Sequence, residues 1–120
     1  MERAGHRCEY CHLHCDQQAS VIFHVEHIIA RQHGGDNSPG NLALACHRCN
    51  LRKGPNLTSL DPETGELIRF FHPRQQQWKE HFEFRNGRII GLTAVGRTTA
   101  MLFQMNTPDR VELRLTLSEL

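Results

Sequence analysis

Cys8-Glu9-Tyr10-Cys11 and Cys46-His47-Arg48-Cys49-Asn50 frame this chain, and between them lie Glu26-His27-Ile28 and Asn41-Leu42. Thiolates at i and i+3 reach one ion when the backbone turns back on itself, and two such pairs complete a tetrahedron. Zinc is therefore the expected ion for Cys8, Cys11, Cys46 and Cys49. Four thiolates leave no open position on the metal, so this site should staple the fold rather than react. Enclosed by the staple is a second set of groups. Glu26 offers a hard oxygen of the kind Mg²⁺ prefers, and Asn50, immediately after Cys49, offers another. His27 follows Glu26 but points differently, which suits it to act as a base: an imidazole accepts a proton from water at neutral pH.

The segments around these residues read as a short mixed unit. Ser20-Val-Ile-Phe-His-Val25 alternates Val21, Phe23 and Val25 against Ile22 and His24, the period of a half-buried strand, and runs into Glu26 and His27. Alternation places His24 and Glu26 on one face. His33-Gly-Gly-Asp-Asn-Ser-Pro-Gly40 is dense in turn formers, so it should expose itself and return the chain. Asn41-Leu-Ala-Leu-Ala45 reads as a second strand, antiparallel to the first, with Leu42 and Leu44 inward. His47 to Lys53 has no breaker and stops at Gly54-Pro55, the pairing expected after a short helix. The unit is strand, loop, strand, helix.

Beyond it, Asp61-Pro-Glu-Thr-Gly-Glu66 is a turn, and Leu67 to Phe71 is apolar enough for a strand or a packed segment. Pro73 should open a helix through Phe82, with Trp78 and Phe82 on one side. Asn86-Gly87 between Phe82-Glu-Phe84 and Ile89-Ile90 is a strong hairpin signal. Thr93 should cap a helix reaching about Met105 that buries Val95, Thr99, Leu102 and Phe103, and Thr107-Pro108 should start another carrying Val111 and Leu115. From Thr58 onward there are eight basic and eight acidic residues and no metal-ligand cluster, so the expected role of this half is to pack around the first.

Composition narrows the class. A chain of 120 residues with 38% hydrophobic content fits one domain over residues 1–120. No run of eighteen apolar residues is present, and the N-terminal residues lack the apolar stretch of a signal peptide, so a cytoplasmic protein with no membrane partner is expected. Five cysteines argue against a disulfide framework, since the count is odd and Cys15 is left as a spare thiol. Net charge is only +1, so affinity for nucleic acid must come from local clusters. Arg48, Arg52 and Lys53 form one at the end of the second cysteine pair, suited to phosphate contacts or, alternatively, to an ordinary solvated helix face.

Taken together, Glu26-His27-Ile28, Gly34-Gly35, Asn41-Leu42-Ala43-Leu44, Cys46-x-x-Cys49-Asn50 and Lys53-Gly54 resemble the HNH endonucleases of the ββα-metal type, over roughly Cys8 to Gly54. The resemblance implies an α+β fold: a ββα-metal (His-Me finger) core at about 8–54 with structural zinc, extended by an α+β region at about 58–120. It implies that His27 is the general base, that Glu26 and Asn50 hold a single catalytic ion, Mg²⁺ or Mn²⁺ or another divalent, and that Asn41 braces the loop and orients His27. The activity implied is hydrolysis of phosphodiesters in nucleic acid, double-stranded DNA first. Arg48, Arg52 and Lys53 would touch the backbone, and cutting both strands would call for a homodimer. Glu26 stands where Asp or His is commoner. The rival expectation is a zinc-stapled nucleic-acid-binding module without catalysis, which needs the cysteines and the basic helix but not Glu26, His27 and Asn50 together.

Overall fold

The computed structural model describes residues 4–14 and 22–118. Its first unit joins strand β1 (Phe23–His27) to β2 (Leu42–Cys46) and helix α1 (His47–Lys53). The strands pair antiparallel from Phe23 opposite Cys46 to His27 opposite Leu42. Between them, two single 3-10 turns, Arg31–His33 and Pro39–Asn41, fold the glycine-rich loop. Gly35 is required there by space: a Cβ would stand 1.7 Å from the Ile29 carbonyl oxygen. Cys46 caps α1 in an extended conformation, and Gly54 closes it with φ 51°.

Burial on β1 differs from the expected half-buried strand. Val25 is 66% exposed, whereas Glu26 is 8% exposed and packed toward the helix. Ser20 and Val21, assigned to the same strand from sequence, lie outside the described residues, as does Cys15. On β2, Ala43, Leu44, Ala45 and Cys46 are all buried, so both of its faces are covered. The second cover is the Cys8–Cys11 knuckle: Glu9 N donates to Leu44 O at 2.8 Å, and Leu44 N donates to the Glu9 carboxylate at 2.7 Å.

The later half forms two hairpins and three helices. Strands β3 (Thr58–Leu60) and β4 (Leu67–Arg69) flank the Asp61–Glu66 turn, where buried Asp61 accepts two bonds from Arg97, at 3.1 and 2.8 Å. Those bonds, first of all, hold its carboxyl down at a pKa of about 2. The helix expected from Pro73 to Phe82 is reduced to one turn, α2 (Trp78–His81). Residues 73–77 instead close on His72, whose carbonyl takes the Gln75 and Gln76 amides, and Phe82 is claimed by strand β5 (Phe82–Arg85) pairing with β6 (Arg88–Gly91). Trp78 and Phe82 still stack, with ring centroids 5.0 Å apart. Asn86 and Gly87 take positive φ, 52° and 78°, as a two-residue hairpin turn of the primed kind demands.

Helix α3 (Ala94–Leu102) is capped by Thr93, whose hydroxyl accepts from Gly96 N at 3.1 Å. It ends three residues before Met105. Phe103 leaves the helix to fill the core, 5.1 Å from the Tyr10 ring and 5.2 Å from that of Phe70. On α4 (Pro108–Ser118), which carries Val111 and Leu115 as expected, Leu115 is 43% exposed, while Arg110 is 7% exposed and turned to the cysteines. Burial of a guanidinium needs an anionic partner, and the knuckle supplies it.

Candidate metal centre and adjoining cleft

Cys8, Cys11, Cys46 and Cys49 are buried, and their sulfurs all lie within 4.8 Å of one another. The Cys11 and Cys46 sulfurs are 3.7 Å apart. A zinc–sulfur bond of about 2.3 Å makes the edge of a tetrahedron about 3.8 Å, so the donor set and its spacing fit Zn²⁺. Burial pushes the Cys8 thiol up, whereas Cys11 is held down by bonds from Cys46, Cys49 and Cys8 and by Arg110 beside it. Four adjacent thiols cannot all ionise unless a cation joins them, and zinc would be that cation. Arg110 approaches from the other side, with Nη2 at 3.0 Å from Cys11 Sγ and 3.5 Å from Cys46 Sγ. Its charge opposes the −2 of a zinc tetrathiolate, and it draws α4 onto the site.

Tyr10, inside the first knuckle, is fully buried and donates its hydroxyl to Glu26 Oε1. The other oxygen of Glu26 receives Lys53 Nζ at 3.1 Å. Burial raises the Glu26 pKa, and Lys53 and Tyr10 pull against it. Lys53 is only 3% exposed and also donates to the His27 carbonyl at 3.1 Å. The phosphate contact expected of Lys53 is therefore replaced by an internal one. Arg48 is committed as well, with Nη2 at 2.6 Å from Asp109 and Nη1 at 2.9 Å from Thr107 Oγ1. Arg52 is exposed.

His24, Glu26, His27, Arg31 and Asn50 line one open cleft of about 350 Å³. The fold thus brings together the carboxylate, imidazole and amide singled out in the sequence. The Asn50 side chain has no hydrogen-bond partner among the described residues. Glu26 and Asn50 present oxygens to this cleft, which suits a hard divalent ion, although each Glu26 oxygen already receives one donor. His24 Nε2 lies 3.0 Å from His47 Nδ1, so the histidine on the Glu26 face has a neighbour of its own.

Asn41 braces the loop as expected, donating to Ile29 O at 3.0 Å and Asp36 O at 2.8 Å and accepting from Ile29 N at 2.8 Å. It does not orient His27. That bond comes from Asn37, whose Oδ1 stands 2.7 Å from His27 Nε2. All of Asn41's side-chain contacts go to backbone, which leaves it none for the imidazole. Asn37, Tyr10 and Arg110 were missed from the sequence because the contacts that give them roles join distant positions. The tyrosine between two zinc ligands and the loop asparagine were visible, but nothing local says what they touch.

Residues 8–56 match the family model described as HNH endonuclease. Over 117 residues the chain is 25% identical to the Septu protein PtuB of Bacillus thuringiensis, an alignment covering 92% of this chain and 41% of that protein. The chain thus spans about two fifths of the relative's length. No solved structure matches. No helix among the described residues is long and apolar enough to cross a membrane. The α+β fold, the four-cysteine cluster and the matched segment agree with one another, and over residues 8–56 the chain is similar to the HNH endonuclease family.

Proposed function

We propose that the cleft hydrolyses phosphodiester bonds of DNA, with His27 as general base. The observation that carries this reading is the convergence of His27, Glu26 and Asn50 on one open cleft beside a closed zinc site. Asn37 Oδ1 accepts a bond from His27 Nε2, so that nitrogen carries the proton and Nδ1 is left as the acceptor. In the reaction, Nδ1 takes a proton from water, the water oxygen attacks phosphorus, and the bond from phosphorus to the 3′ oxygen breaks. A 5′ phosphate and a 3′ hydroxyl result. A divalent ion held by Glu26 and Asn50, Mg²⁺ or Mn²⁺, would supply Lewis-acid stabilisation of the negative charge developing around phosphorus. Arg31, exposed at the cleft, and Arg52, exposed on α1, would meet the flanking backbone, and such contacts position a duplex without reading its sequence.

A non-catalytic zinc-stapled binding module is the second reading, and one observation favours it: both oxygens of Glu26 already receive donors. The test is incubation of the zinc-loaded protein with single-stranded, duplex, branched and RNA substrates, each with Mg²⁺, with Mn²⁺ and without divalent ion. Divalent-dependent cutting of the duplex with 5′ phosphate ends supports the nuclease. Binding with no cutting under any of these conditions supports the module.

A further inference from the structure

Among the described residues Glu26 is the one carboxylate lining the cleft, and it is not free. Its partner Lys53 is 3% exposed, stands 3.1 Å from Oε2, and is fixed by a second bond to the His27 carbonyl. An ammonium so enclosed cannot swing out to solvent when a cation arrives. The other charged side chain lining the cleft is Arg31, which is exposed and has no ion pair among the described residues. Asp36, the carboxylate of the adjoining loop, spends Oδ1 on Ser38, accepting from N at 3.0 Å and from Oγ at 2.6 Å. Asn50 and His24 offer an amide oxygen and a ring nitrogen, and neither brings negative charge. The formal charge that the described residues place around the proposed ion position is therefore zero or positive.

Protein sites that hold divalent ions on their own gather several carboxylates, whereas Mg²⁺ is commonly held by one or two carboxylates together with phosphates of a substrate. A cleft of this charge attracts a phosphodiester first. Resting on the nuclease reading above, we propose that Lys53, by cancelling the charge of Glu26, makes this a site for a phosphodiester and a divalent cation together rather than for the cation alone. Lys53 is then a positioning residue with two tasks. It holds the Glu26 carboxylate and the His27 backbone in place, and it denies the empty cleft enough negative charge to hold an ion. Binding of ion and phosphodiester is reciprocal by linkage: each tightens the other by the same factor.

The test uses the zinc-loaded full chain carrying His27→Ala, so that a short duplex survives. Bound Mn²⁺ is read by electron paramagnetic resonance with and without the duplex, and duplex binding is read by fluorescence anisotropy with and without Mn²⁺. The same measurements with Asn50→Ala added give the background of ions held by the DNA alone. The expected result is Mn²⁺ binding at least about tenfold tighter with the duplex, and an equal gain in duplex affinity with Mn²⁺. Adding Lys53→Met should tighten duplex-free Mn²⁺ binding about tenfold and shrink the coupling, while Lys53→Arg keeps the charge and the coupling. Equal Mn²⁺ affinity with and without duplex overturns the proposal, and this arm does not depend on whether the Lys53 variants fold. So does Lys53→Met protein of unchanged zinc content whose Mn²⁺ affinity is that of its parent. A duplex that fails to bind at any Mn²⁺ concentration brings down the nuclease reading itself.

Discussion

The cysteine cluster and the Glu26–His27 cleft lie on either side of Tyr10, and they treat polar atoms in opposite ways. At the cysteines all four sulfurs are buried within 4.8 Å of one another, and Arg110 lies against them. At the cleft the volume is open, the Asn50 side chain has no hydrogen-bond partner among the described residues, and His27 presents a ring nitrogen. A site that surrounds its ion completely can only hold a fold together, and a site that leaves positions open has room for water and substrate. Tyr10 joins them: it sits between two zinc ligands and donates to the cleft's carboxylate, so the staple also sets the geometry of the proposed active site.

The difference can be broken most violently at the sulfurs. Cys46→Ser is expected to lose zinc and with it about 10 kcal/mol or more of folding free energy, seen as loss of cooperative thermal unfolding and of zinc content. A Cys46→Ser protein that has no zinc but melts as the wild type does would remove the staple from the account. Next in size is Arg110→Met, which takes the cation from beside the thiolates and frees α4. Removing one partner of a buried charge pair costs about 3–5 kcal/mol, measurable by urea unfolding, with zinc still bound. An unchanged midpoint would mean that α4 docks by apolar contact alone. The smallest effect is expected on the open side of β1: Val25→Thr, at a residue 66% exposed, should change stability by no more than about 0.5 kcal/mol. A large loss there would mean that the Val25 side of the strand is packed after all.

What could be read beforehand was local. The two Cys-x-x-Cys pairs announced the ion because their spacing is itself the chemistry, and α1 began and ended where Cys46 and Gly54 said it would. The Asn86-Gly87 hairpin followed from two residues able to take positive φ. Where local signals competed with packing they failed. Pro73 began no helix, since Phe82 was needed in β5, and the start of α4 was legible while its contact through Arg110 with the thiols was not. Lys53 looked like a phosphate ligand because three basic residues cluster there, yet its burial is set by Glu26, twenty-seven positions earlier. Asn41 and Asn37 show the same limit at the site. Both are loop asparagines, and only the folded loop decides which one reaches His27.

The separation of tasks between the two sites is tested most directly by His27→Ala, assayed on plasmid DNA with Mg²⁺ or Mn²⁺ while zinc content and melting temperature are measured on the same preparation. The expected result is a fall in cleavage of about 10²–10⁴-fold, the usual worth of a general base, with zinc and melting unchanged. Cutting at the wild-type rate by that folded, zinc-loaded variant would contradict the assignment of the chemistry to the cleft.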